Sequence, residues 1–438
     1  MSIDTRDSFT GKFGVIAAAA GSAVGLGNIW RFPYVVGENG GGAFLLVYIL
    51  FILAIGIPVM MSELIIGRRA QKNVFGAFKA LAPKHPYFII VGIMGVGAAF
   101  MILAFYSVVA GWTLEYTYLA VSNNLLTKTS SELSVFFSEF SQSTTGPVIW
   151  MVVFMFLTGA IVIGGVQKGI ERYTKILMPV LFIIIVILCI KSATLDGAGK
   201  GFSFLFKPDF SKVTGKVILE ALGQAFFSLS IGMGVIATYG SYIQKKENLF
   251  TTAVSVSFAD TLIAVLAGVA IFPAVFAFGI DPSSGPGLVF ETLPNVFNHM
   301  AGGYFFSVAF FLLLVIAALT SSVSLLEVVV AYFAEELGMK RTVATVIATI
   351  AITLFGLLAV FSSEMFNFFD KTSSNILLPL GGILISVFVG WVLGKLQVKD
   401  ELSAHGGKVR MIGLLMIILK IIAPLAIGLV FLNGIGII

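Results

Sequence analysis

Charge is what this chain has least of. Only 11% of its 438 residues are Asp, Glu, Lys or Arg, against about 25% in an ordinary soluble domain. Twenty-seven basic and 22 acidic residues cannot cover a water-facing surface of that length, and with 58% hydrophobic residues a disordered chain is excluded too. Cysteine is almost absent: the one copy, Cys189, sits in an apolar run, so neither a disulfide framework nor a cysteine metal site can form. The three histidines, His85, His299 and His405, lie in polar stretches, which argues against a His-rich metal centre. No histidine falls in an apolar run to serve an intramembrane nucleophile, and Asp260 and Asp370 read as lying at different depths, so paired aspartates are not expected either. An isoelectric point near 9.1 suits basic loops beside a membrane better than a nucleic-acid surface, and no nucleic-acid partner is expected.

What is present is apolar length. A span needs about 20 apolar residues, and the mean hydropathy is +1.03. The 41 Phe and 47 Gly suit lipid-facing rings and close helix packing. The opening MSIDTRDSFT is polar and of mixed charge, and no cleavable signal peptide is expected. The fold class is an all-α polytopic membrane protein with eleven transmembrane helices, read at 11–36, 43–67, 87–121, 148–165, 170–191, 216–242, 250–279, 303–334, 342–361, 370–395 and 410–432. The stretch 288–300 is too short and polar to span and reads as a helical cap between spans seven and eight. With a cytoplasmic N-terminus, 18 Lys and Arg fall on inside segments and seven on outside ones, leaving Arg31 and Lys420 within spans. That bias favours this orientation in a cell (plasma) membrane, and an odd span number then puts the C-terminus outside.

Two spans carry breaks. Span one contains Gly21-Ser22-Ala23-Val24-Gly25-Leu26-Gly27-Asn28, and span six contains Gly232-Met233-Gly234 after Ser228 and Ser230. Unwound backbone in lipid costs several kcal/mol per unsatisfied group and survives where it lines a cavity or binds something. First and sixth are corresponding positions of two five-span halves, which points to a 5+5 inverted repeat with its site at mid-membrane, plus one extra helix. The organisation expected is a cytoplasmic segment at 1–10, repeats at 11–191 and 216–395, an extracellular loop at 192–215, and a loop with the eleventh helix at 396–438. Glycines that merely permit close helix packing are the plainer alternative.

The runs GSAVGLGNIWRFPYVVGENGGGAFLLVY (21–48), GIPVMMSELIIGR (56–68), GQAFFSLSIGMG (223–234) and ALTSSVSLLE (318–327) strongly resemble neurotransmitter:sodium symporters, over nearly the whole of 11–395. The likeness is to the bacterial eleven-span branch that includes tyrosine and multi-hydrophobic-amino-acid transporters. It implies sodium-coupled uptake of an amino acid with two Na+ ions. One ion would take the carbonyls of Gly21, Val24 and Ala317 with the hydroxyls of Thr320 and Ser321. The other would take the Ala23 carbonyl, the Asn28 side chain, the Ser228 hydroxyl and Asp260. Sodium, a hard cation, wants such oxygen ligands. Thr320 and Ser321 taken alone are equally the kind of hydroxyls that bond back to their own helix.

Asp260 lies about ten residues inside span seven, where a charge costs about 2.5–3.5 kcal/mol on insertion scales and a functional role is the default. A place near the interface, with water around it, is the other reading. Members of the family usually carry Asn there and many need chloride nearby; an acid in that position implies chloride-independent transport. Amine-carrying members place Asp where this chain has Gly25, so the substrate here must bring its own carboxylate. It would meet the NH groups of Leu26 and Gly27 at a half-helix end and the Tyr106 hydroxyl, and complete the shell of one of the ions. The ammonium group would find carbonyls in the broken stretches. The resemblance lines the side-chain pocket with Ile102, Phe227, Ser230, Met233, Ser324 and Leu325. Met233, flexible where leucine carriers have Phe, favours large apolar or aromatic amino acids.

Arg31 and Asp370 would close the outer side with Phe227 as a lid, and Arg6 with Glu335, near Tyr242, the inner side. Arg–carboxylate pairs suit gates because they are directional yet nearly neutral in energy where water competes. Glu63 is expected to brace an unwound segment by hydrogen bonds. Gly169 and Pro179 in span five resemble a stretch that unwinds toward the inner sodium, and a plain kink fits them as well. The expected assembly is a monomer or weak dimer in a lipid bilayer. An ion channel or a sodium-dependent amino-acid-binding sensor are the other classes. The channel would pass large currents, and the sensor would bind without counterflow.

Overall fold

The computed structural model describes residues 8–279, 287–406 and 411–437. Every regular element among them is a helix. Nine helices are long and apolar enough to cross a membrane, or ten when Lys12–Ala23 and Gly27–Glu38, bent by 49° across a three-residue break, count as one. Gly215–Ser228 and Val235–Gly240 are too short to cross singly. They are the two halves of span six, separated by residues 229–234, so the count is consistent with eleven crossings.

The long helices Ile89–Val121 and Gly303–Glu336 lie side by side as a central wall, and the broken spans pack against it. Phe156, Phe258, Phe305 and Leu425 face outward, each at least 66% exposed, an apolar girdle that only lipid would cover. Spans two and six approach backbone to backbone. A Cβ on Gly67 would lie 1.9 Å from the Ala237 carbonyl oxygen, so only glycine permits the contact.

Several boundaries differ from the sequence reading. Span ten starts at Ser363 rather than 370, because Ser362 caps it by accepting from Met365 N, which puts Asp370 two turns inside the helix. Span five stays helical from Val166 to Ala193 despite Pro179, its first turn widened into a π-helical one over Val166–Glu171. Here the Gly169–Pro179 stretch is not unwound. The cap at 288–300 is helical, Leu288–Thr292 and Leu293–Asn298. Ser130–Gln142 and Ala198–Phe206 are helices in segments read as loops. Thr129 and Glu132 form a reciprocal capping box on the first of them, a T-x-x-E signal visible in the sequence.

A buried ionic clasp ties the end of span two to the helix after span ten. Arg68, fully buried, donates Nε to Glu401 at 2.7 Å, Nη1 to the Glu247 carbonyl at 2.6 Å, and Nη2 to the Glu401 carbonyl. Lys245 and Arg69 approach the same carboxylate at 3.0 and 3.5 Å. Removing one member of such a pair strands a buried charge at about 3–5 kcal/mol. Glu401→Gln is therefore expected to lower the melting temperature in detergent sharply. Arg69→Gln, which loses a partly exposed contact, costs under about 1 kcal/mol. Equal melting shifts for the two would show that the clasp carries no special weight.

Candidate functional site

The two breaks meet at the middle of the bundle. In span one the helix ends at Ala23, Val24 is extended, and a π-helical turn runs Gly27–Arg31. In span six, Ser230, Gly232 and Gly234 take left-handed φ values of 55°, 84° and 75°. Ser230 thus bears a strain glycine would not, in the segment that faces the pocket. Glu63 spans the second break, accepting from Gly232 N at 2.7 Å and Ala237 N at 3.3 Å, as its sequence context implies.

Asp260 is fully buried, not near water. Ser228 Oγ lies 2.8 Å from both its carboxylate oxygens, Asn28 Nδ2 donates to Oδ1 at 2.7 Å, and Tyr48 Oη donates to Oδ2 at 3.3 Å. Among the described residues no Lys, Arg or His comes within ion-pair distance of it. A buried carboxylate is costly as an anion without a counter-charge, and among the described residues Asp260 has neutral donors alone. Asn28 also holds the break itself, its Oδ1 accepting from Gly25 N at 3.1 Å.

The second cluster joins spans one and eight. Thr320 Oγ1 lies 3.0 Å from the Ala317 carbonyl, 3.2 Å from that of Ile316 and 3.4 Å from that of Val24. Ser321 Oγ lies 3.0 Å from the Ser22 carbonyl and 3.5 Å from that of Val24. Ser230 Oγ also donates to the Ser22 carbonyl, at 3.1 Å, so hydroxyl and carbonyl oxygens from spans one, six and eight converge here, the ligand type a hard cation takes. Gly21 stands beside this cluster; a Cβ there would lie 3.5 Å from Thr320 Cβ.

Between the clusters is a cavity of ≈30 Å³ lined by Ala23, Gly25, Gly27, Ile102, Tyr106, Phe227, Ser230, Met233, Ser324 and Leu325, with Ser22 and Ser321. All six side-chain-pocket residues expected from the resemblance are there. Ser228 is not: its hydroxyl is committed to Asp260. Leu26 N donates to Tyr106 Oη at 3.2 Å, so a backbone NH and a phenol meet where an anion would find both. Gly25 leaves room for the polar groups around it: a Cβ there would lie 2.2 Å from Ser321 Oγ and 3.1 Å from Tyr106 Oη, so a larger residue would displace the Ser321 hydroxyl.

The gate residues are placed differently from expectation. Arg31 lies over Phe227, its Cζ 4.4 Å from the ring centroid, while Asp370 accepts from Ser374 Oγ at 3.0 Å. Among the described residues no ion pair within 4.0 Å joins Arg31 to Asp370. Phe227 separates the small cavity from a vestibule of ≈370 Å³ that opens between spans one, six, ten and eleven. Arg6 lies outside the described residues. Glu335 accepts from Asn73 N at 2.8 Å and Asn73 Nδ2 at 3.0 Å. Tyr242 donates to Glu327 at 2.7 Å, and Glu327, fully buried, pairs with Arg341 at 2.5 Å. Phe9 packs edge-on against Tyr239 and Tyr242 on this side. Sequence reasoning passes over Tyr48, Ser22, Glu327 and Arg341. Glu327, an acid in the apolar run LLEVVV, carries the signal that singles out Asp260; Tyr48 and Ser22 carry none.

The family model described as the sodium:neurotransmitter symporter family matches residues 6–135 and 132–437. The chain is 40% identical over 439 residues to the sodium-dependent transporter YhdH of Bacillus subtilis, covering 97% of each. It is 32% identical over 435 residues to a sodium-dependent transporter of Methanocaldococcus jannaschii, covering 93% of this chain and 85% of that one. The structure of MhsT in complex with L-phenylalanine matches with a TM-score of 0.91 at 46% identity, covering 98% of this chain and 100% of that one. Matching residues along nearly the whole length and a shared backbone lead to one conclusion: the chain belongs to the sodium:neurotransmitter symporter family, multi-pass sodium-dependent membrane transporters and not enzymes.

Proposed function

We propose that the protein takes up a large apolar or aromatic amino acid together with two sodium ions, by alternating access. The observation that carries this reading is the fully buried Asp260 carboxylate, set among neutral donors beside both helix breaks. One sodium would sit there with the Ala23 carbonyl, Asn28 and Ser228. The Asn28 amide turns to present its oxygen when the ion arrives. The second would take Gly21, Val24 and Ala317 carbonyls with Thr320 and Ser321. The substrate carboxylate would bridge Leu26 and Gly27 NH groups and Tyr106, next to the first ion, so that each raises the other's affinity.

The side-chain preference rests on Met233, Ile102 and Leu325 in the cavity wall and on the phenylalanine bound by the MhsT relative. A cavity of ≈30 Å³ holds about one water, so an aromatic side chain requires Phe227 and Met233 to move. Arg31 and Asp370 would then close together above the lid. The Glu327–Arg341–Tyr242 cluster, with Glu335, would part on the opposite, cytoplasmic side.

Two sodium ions crossing roughly 100 mV release about 4.6 kcal/mol. A tenfold gradient adds about 1.4 kcal/mol for each ion. The total, about 7.4 kcal/mol, sustains roughly a 10⁵-fold amino-acid gradient, against 10²- to 10³-fold for one ion.

Calorimetry with an amino-acid panel in sodium and in potassium buffer tests this. Phenylalanine, tyrosine, tryptophan or leucine is expected to bind roughly 5–150-fold more weakly in potassium, the usual range of site–site coupling. Undiminished affinity in potassium removes the coupling. Tight binding of glycine with none of the large amino acids removes the substrate assignment.

A further inference from the structure

Lys420 lies inside span eleven, Ile412–Gly434, and neither sodium nor amino-acid binding uses it. Eight residues at about 1.5 Å each put its Cα about 12 Å from the Ile412 end of the helix. An ionisable residue at such depth is costly, and a functional role is the default reading. Its surroundings are built. Spans ten and eleven each widen into a π-helical turn where they meet, at Phe388–Leu393 and Ile418–Ile422, a distortion common at functional positions. Gly390 makes the slot for the lysine stem: a Cβ there would lie 3.0 Å from Lys420 Cγ. Trp391 closes the outside, its indole NH donating to the Lys420 carbonyl at 3.4 Å and its ring 4.7 Å from Nζ. Trp391 is itself 62% exposed, on the surface that lipid covers.

The ammonium group thus has a π-face and no acid. Among the described residues no carboxylate lies within 4.0 Å of Lys420, and the acids of the helix that follows span ten are engaged elsewhere: Asp400 by Arg69 at 3.0 Å, Glu401 by Arg68 at 2.7 Å and Lys245 at 3.0 Å. Lys395 and Lys399, both exposed, stand just beyond the end of span ten. A lysine side chain reaches from this depth toward the headgroup level by snorkelling along its apolar stem. We propose that the Gly390–Trp391–Lys420 slot binds an anionic phospholipid, with its phosphate on Lys420 and an acyl chain along the exposed edge of spans ten and eleven. Each basic residue near an anionic membrane surface contributes about a fivefold gain in association.

Tryptophan fluorescence reads this directly. The full chain is reconstituted in phosphatidylcholine vesicles doped with bromo-acyl phosphatidylglycerol or bromo-acyl phosphatidylcholine, and the Trp391 component is obtained by subtracting the Trp391→Phe variant. Quenching of that component is expected to favour phosphatidylglycerol about fivefold. The preference should vanish in Lys420→Met, which suits an apolar helix, and persist in Lys420→Arg. Adding inorganic phosphate to plain phosphatidylcholine vesicles should change nothing. Equal quenching by both lipids, a preference that survives Lys420→Met, loss of the preference in Lys420→Arg, or a phosphate effect matching that of phosphatidylglycerol would each overturn the assignment.

Discussion

Asp260→Asn is expected to weaken sodium binding by roughly 10²- to 4 × 10³-fold and to make the remaining uptake depend on chloride. The carboxylate is fully buried among Asn28, Ser228 and Tyr48, and among the described residues no cationic side chain balances its negative charge. A sodium ion seated against it forms a buried ion pair, and removing one member of such a pair costs about 3–5 kcal/mol. Asparagine keeps the volume and can still accept from Ser228, so the loss comes from charge rather than from packing. A chloride ion drawn into the space near Tyr48 would restore the missing charge in part. By the same reasoning the unaltered protein is expected to need no chloride, and its uptake should be unchanged when gluconate replaces it. Uptake that stops in gluconate, or an Asp260→Asn variant with ordinary sodium affinity in gluconate, would show that Asp260 is not the counter-charge. Asp260→Ala separates the two contributions: it removes the ligand as well and should not be rescued by chloride.

How far the sequence anticipates this site depends on what each residue signals. Asp260 and the glycines of spans one and six stand out because charge and flexible backbone are anomalous in an apolar run. The structure brings them together. The pocket wall of Ile102, Met233 and Leu325 is different: apolar residues are everywhere in this chain, and only the family likeness picks these out. Tyr48 is invisible for the same reason, one aromatic among many. Its role comes from its position opposite Ser228, a contact 180 residues away in the chain. Arg31 and Asp370 are not paired in this structure, a separation the likeness does not give because it names partners without their distance. Arg31 instead rests on Phe227, where a cation over a ring is favourable by about 0.5–2 kcal/mol. Span boundaries err where a cap extends a helix beyond its apolar stretch, as Ser362 does for span ten.

Glu63→Leu is expected to abolish sodium-dependent binding and to lower the yield and melting temperature of the protein together. The break over residues 229–234 leaves the short helix Val235–Gly240 with a free N-terminus inside the membrane. Two of the NH groups there, those of Gly232 and Ala237, find their acceptor on Glu63. An unpaired NH in lipid costs several kcal/mol, so leucine incurs that cost twice. It also removes a carboxylate from a helix N-terminus, where it contributes about 0.3–2 kcal/mol more. The consequence reaches the site because the same break carries Ser230 and Met233 into the cavity wall, and Ser228 just before it toward Asp260. Glu63→Gln grades the effect. Its oxygen can accept from one NH, but its amide NH₂ then faces the other donor, so melting temperature and ligand affinity should fall between the unaltered protein and Glu63→Leu. A Glu63→Leu protein that melts and binds as the unaltered one does would mean that the break is held by its packing alone. If Glu63→Gln were as damaging as Glu63→Leu, the carboxylate's charge, rather than its two accepting oxygens, would be what the second half of span six requires.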